Sequence, residues 1–153
     1  MGRNIFISKV KDLLPVGLFL LLTLPASAQL IRVQSLLGND SMMIGEQLEY
    51  TLRVDAESDV DLVLPTLRDT LSSTLEVITI LSADTTFSEG RMVVEQHYLI
   101  TGFESGSQLV PSQDVIYSRG EQSDTARSMP LIINIYEPEV DTSQQIKPIK
   151  PPI

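Results

Sequence analysis

The chain has no cysteine and no tryptophan, a single histidine, and aromatic residues at only 5% of its 153 positions. Without cysteine there is no disulfide framework, no thiolate nucleophile and no thiol to carry a lipid at a processed amino terminus. With His97 alone, no multi-histidine zinc site can form, and any Ser–His–Asp arrangement would have to be built on that one residue. No nucleophile elbow accompanies it: Gly102-Phe103-Glu104-Ser105-Gly106 misses the Gly-x-Ser-x-Gly spacing by one position. So few aromatic rings also argue against a stacking platform for sugars. Positive charge is scarce, with 11 Lys and Arg against 20 Asp and Glu. A surface of that sign repels phosphate backbones and anionic headgroups, so neither nucleic acid nor a lipid surface is an expected partner. Beyond residue 29 apolar residues never recur at the helical period.

What is present begins with a three-part leader. Arg3, Lys9 and Lys11 precede an apolar run at residues 13–24, and Pro25-Ala26-Ser27-Ala28 follows with small side chains. This reads as a secretory signal-peptide helix over residues 1–28, cut between Ala28 and Gln29. A retained anchor is the rival reading, but Pro15 and Pro25 leave an apolar part shorter than the roughly 20 residues a bilayer requires. Removal of residues 1–28 takes Arg3, Lys9, Lys11 and Asp12, leaving 8 basic and 19 acidic side chains and a net charge of −11. An exported chain without disulfides must rest on an ordinary apolar core.

The mature chain is patterned as strands. In Leu48-Glu49-Tyr50-Thr51-Leu52-Arg53-Val54-Asp55 the apolar side chains alternate with polar ones, placing Leu48, Tyr50, Leu52 and Val54 toward a core and Thr51 toward water. Gly45 gives the tight entry. Residues 30–37 form a first strand, with Ile31, Val33 and Ser35 on one face and only Arg32 charged, which makes it the expected unblunted edge. Gly38-Asn39-Asp40 suits a turn with positive φ. Further strands are expected at residues 60–64, 74–81, 91–101 (the longest), 114–117 and 130–136. A hairpin loop is expected at residues 56–59 and polar turns at 88–90 and 120–124. The pattern predicts an all-β, antiparallel β-sandwich over residues 29–137. A proline-rich linker or tail follows at residues 138–153.

Asp55, Glu57, Asp59 and Asp61 are the one oxygen-rich cluster, a candidate calcium site around the expected hairpin loop. The first three occupy odd positions of an EF-hand-like loop, but Val60 stands where glycine is needed and Thr66 where a bidentate carboxylate is needed. A solvated acidic turn is the simpler reading. No cofactor and no catalytic residue is expected.

Three segments carry a family resemblance: Ile44-Gly45-Glu46-Gln47 before a strand; Thr101-x-Phe103-x-Ser105-Gly106 followed by Pro111; and Val115-x-Tyr117 with Asp124-Thr125, Ser128, Pro130-Leu131, Ile133 and Ile135. In that order they resemble the immunoglobulin-like domains of the BatD (aerotolerance, or oxygen-tolerance) family, in the form found in exported proteins of Bacteroidetes-type bacteria. The resemblance covers about residues 30–150 and includes Val140-Asp141-Thr142 and Ile146-Lys147. It implies a non-enzymatic, periplasmic protein-interaction domain with envelope or inner-membrane partners. In that family the domain belongs to a longer chain tethered by a downstream transmembrane helix, so a membrane would be reached only through the signal segment or such an anchor. The alternative is an extracytoplasmic ligand- or calcium-binding sandwich module using the acidic cluster. Intact-mass analysis of the exported protein is expected to find Gln29 as the first residue; a retained Met1 in a membrane-bound protein contradicts cleavage.

Overall fold

A computed structural model describes residues 30–139; the expected leader, the Ala28–Gln29 junction and residues 140–153 of the tail lie outside the described residues. Among the described residues there are eleven strands and no helix. Five of them form one antiparallel sheet in the order β1 (Ile31–Leu37), β3 (Leu48–Glu57), β7 (Arg91–Gly102), β6 (Leu75–Ser88), β5 (Asp69–Thr70). A second sheet has the order β10 (Gln122–Arg127), β9 (Asp114–Arg119), β4 (Asp61–Val63). The third has the order β2 (Ser41–Met43), β11 (Leu131–Tyr136), β8 (Gly106–Val110). Buried residues of all three sheets join in a single core, an arrangement compatible with a β-sandwich.

Period-two alternation determines which side chains enter that core. Tyr50, Leu52 and Val54 of β3 are fully buried, and Ile31 and Val33 of β1 lie beside them on the same face. Across β3, the register pairs Tyr50 with Tyr98, Leu52 with Gln96 and Val54 with Val94. The rings of Tyr50 and Tyr98 meet at 5.8 Å between centroids with a 32° tilt. A buried tyrosine must place its hydroxyl, and Tyr50 does so in a polar chain. Its OH lies 2.9 Å from Ser35 Oγ, which is 2.8 Å from Ser128 Oγ, and that oxygen accepts the Gln113 amide at 2.9 Å. The Ser128 amide donates back to the Gln113 carbonyl at 2.9 Å. This chain ties β1 and β3 to the segments flanking β9 and β10. No buried side-chain polar atom among the described residues lacks a partner.

Several expectations are corrected. Residues 56–59 are no hairpin loop: β3 continues through Glu57, opposite Arg91, and after Ser58 and Asp59 the chain crosses to β4, which pairs with β9. Val60 and Leu62 pack against the core from that second sheet, which is why the crossing is favoured over a return. The longest strand is β6 with 14 residues; β7 has 12. Its outer stretch was obscured because both of its faces are exposed, so no alternation marks it. The polar stretch from residue 122 is strand β10 rather than turn, joined to β9 by Gly120 and Glu121. The sheets are also not wholly antiparallel, since β2 runs parallel to β11.

Positive φ falls not at residues 38–40 but at Gly45, Gly106, Gly120, Asp69 and the Glu89–Gly90 pair that turns β6 into β7. Gly102 serves packing: a Cβ there would collide with Ile135 and crowd Leu75 and Met42. Thr51, expected to face water, is only 9% exposed, because Leu36 and His97 flank it on the outer surface of the sheet.

Burial of the Tyr50 phenol pushes its pKa from 10.0 up to about 12; the Ser35 hydrogen bond offsets this in part and Tyr98 adds to it. A folded-state pKa above the unfolded one means that the unfolded chain releases the proton first. The stabilisation is therefore complete below pH 10 and is lost as pH rises toward 12. Two units correspond to about 2.7 kcal/mol. Urea melts across this range are expected to show stability falling steeply in the native protein and less steeply in Tyr50→Phe. At neutral pH that variant should lose about 1 kcal/mol, the worth of one hydrogen bond. Equal slopes for the two proteins would contradict this assignment.

Candidate functional site

The four carboxylates of the acidic cluster are spread apart by the crossing from β3 to β4. Asp55 points to the outer face of the large sheet, where Arg91 donates to its Oδ1 at 2.6 Å. Glu57 and Asp59 both accept from Arg119 of β9, Asp59 at 2.6 Å. These bonds, Glu57 first and Asp59 second, raise the Arg119 pKa further above its ordinary value. Asp61 is exposed on β4. Arginine nitrogens thus stand where a cation would have to sit, and no group of three or more His, Cys, Asp or Glu among the described residues is arranged to hold a metal.

His97 lies on the outer face of β7. Its Nδ1 is 3.0 Å from Thr51 Oγ1 and 2.9 Å from Glu49 Oε1, and its Nε2 is 3.8 Å from Asp84. A nucleophile and an orienting carboxylate need opposite ring nitrogens, whereas Thr51 and Glu49 share one and Asp84 lies beyond hydrogen-bond reach of the other. The cluster belongs to a ladder of charge that also holds the Arg53–Glu95 and Arg91–Asp55 ion pairs. On the second sheet Arg127 grips Asp114 through two nitrogens at 2.5 and 2.8 Å, a contact that lowers the Asp114 pKa.

The remaining sheet is different in kind. Strands β2, β8 and β11 (Ser-Met-Met, Gly-Ser-Gln-Leu-Val and Leu-Ile-Ile-Asn-Ile-Tyr) contain no charged residue. Their inner side chains, Met42, Val110, Ile133 and Ile135, are buried. The outer side chains form cross-strand pairs: Ile132 with Leu109, Asn134 with Ser107 and with Ser41, Tyr136 with Met43. Ser107 donates to Asn134 Oδ1 at 2.8 Å, satisfying the centre of the face. The four apolar members are each 55% exposed or more. Isolated exposed leucines are ordinary, but a contiguous uncharged sheet face is not.

The carboxylates nearest these strands in the chain gather toward the Tyr136 end of the face. Asp40, Glu46, Glu104, Glu137 and Glu139 are all exposed, and none has an ion-pair partner among the described residues. Sequence reading missed the surface because its residues come from three separated segments, each patterned like a core strand. The charge-free composition of those segments was the available signal. Compared with known proteins, the chain matches no family model and no curated protein.

With the acidic cluster held by arginines, millimolar calcium is expected to leave the melting temperature unchanged in the native protein. A binder at a hundredfold excess over its Kd would add about 2.7 kcal/mol, so a clear upward shift would restore the calcium-module reading.

Proposed function

We propose that the protein is a non-enzymatic, exported interaction domain of the cell envelope, an immunoglobulin-like sandwich resembling those of the BatD family, that engages envelope or inner-membrane proteins. The observation that carries this reading is the uncharged outer face of the β2–β11–β8 sheet. Interface centres are depleted in Asp, Glu and Lys and enriched in Tyr and Met, with polar groups at the rim. Met43, Tyr136, Leu109 and Ile132, with exposed carboxylates at the Tyr136 end, have that composition. The rest of the chain supports the same reading. Between residues 30 and 139 there are six arginines, no lysine and eighteen carboxylates. Against that net charge of −12, a sheet face that carries no charge stands apart. The leader at residues 1–28 supports the compartment.

Photo-crosslinking in the native cells tests the reading. A photoreactive residue at Ile132 is expected to trap a defined envelope protein, identifiable by mass spectrometry, while one at Glu95 on the opposite outer face is not. Trapping of the same protein from both positions, or from neither, would contradict it.

A further inference from the structure

The uncharged face is small. Three strands about 4.8 Å apart and some five residues long cover roughly 250 Å², well below the roughly 800 Å² each side contributes to a standard interface between folded proteins. An occupant that matches it must gain contacts in another way, and the sheet provides one. β8 is its edge strand, and its second side pairs with no strand among the described residues. At its amino end an open groove of about 390 Å³ lies between Ser105, Ser107, Asn134, Tyr136 and Glu137. Glu137 lines the groove and Glu104 immediately precedes Ser105; Glu137 accepts a hydrogen bond from Ser105 at 2.9 Å and has no ion-pair partner among the described residues.

We propose that β8 takes an extended segment of the partner protein as a fourth strand. Alternate apolar side chains of that segment cover Leu109 and continue the Ile132 row, and a lysine or arginine at the end beside Gly106 enters the groove between Glu104 and Glu137. This inference rests on the interaction reading above and specifies the partner's chemistry. Strand addition supplies main-chain hydrogen bonds for affinity, and side chains on the sheet face supply selectivity. Other open strands are less suited. β2, the opposite edge of the same sheet, has only three residues, and β6, open beyond its two-residue pairing with β5, is broken by irregularities between Val77 and Thr79 and between Ile80 and Ala83, a feature that turns an edge away from pairing. β1, the edge expected from sequence, has β10 beside it and is tied to Ser128 through Ser35. Two copies of this acidic chain repel each other, whereas a basic segment is attracted.

The test uses the full chain and a short synthetic peptide of alternating valine and threonine with a lysine at each end, compared with the same peptide carrying glutamates. Calorimetry is expected to detect the lysine peptide and not the glutamate one, and hydrogen exchange is expected to slow at residues 106–110. Glu104→Gln with Glu137→Gln should weaken binding about fivefold, while Asp59→Asn with Asp61→Asn, remote carboxylates, should leave it unchanged. Equal weakening by both pairs would reduce the effect to general acidity and overturn the proposal. Protection at residues 78–88 in place of β8, or concentration-dependent dimerisation that protects β8 without peptide, would also overturn it. If the peptide fails to bind while crosslinks from Ile132 persist, the strand-addition proposal falls and the interaction reading stands. Loss of both removes the reading itself.

Discussion

The pairing of β3 with β7 is the constraint on which the rest of this structure depends. On its inner side it brings Tyr50 against Tyr98 and lines up Leu52 and Val54 with the core. A phenol buried this completely is tolerated only if its hydroxyl is bonded, and the Ser35–Ser128–Gln113 chain provides that. The same chain fixes where the segments around β9 and β10 lie against β1. On its outer side the pairing aligns Arg53 with Glu95 and carries Asp55 to Arg91 and Glu49 to His97. Each such pair, partly exposed, is worth little alone.

The distribution of arginine then separates the surfaces. Arg53 and Arg91 are committed on the large sheet, and Arg119 and Arg127 on the second one. The three strands of the third sheet carry no charge at all; on their outer face two apolar pairs flank a central Ser41–Asn134–Ser107 row. Arg119 of β9, by bonding Glu57 and Asp59, ties the end of β3 and the crossing segment to the second sheet and fills the place a cation would need.

The fold was legible wherever burial is one-sided. Leu48 to Val54, Ile31 to Ser35 and Ile133 with Ile135 alternate because one face meets the core, and the strands stand where that alternation places them. Legibility failed where both faces are wet: residues 82–88 of β6 and 122–127 of β10 have no apolar period to read, and their pairing comes from the neighbouring strand. It failed also at Thr51, whose burial arises from Leu36 and His97, residues distant in sequence. The acidic cluster is a related case. The carboxylates are spaced two apart along the chain, but the chain changes sheets between Glu57 and Asp61, so Asp55 pairs with Arg91 while Glu57 and Asp59 share Arg119. The uncharged face could not be assembled from sequence because its pairs, Ile132 with Leu109 and Tyr136 with Met43, depend on a register that joins distant segments, one of them in parallel.

The central claim is that partner recognition belongs to the sheet without charge. Hydrogen-exchange mass spectrometry of the protein bound to its crosslinked envelope partner addresses it most directly, because it surveys every backbone segment at once. The account predicts slowed exchange in residues 104–110 and 131–137 and no change across residues 91–97, whose outer side chains form the charge ladder. Protection concentrated at residues 91–97, with residues 104–110 exchanging as in the free protein, would contradict it.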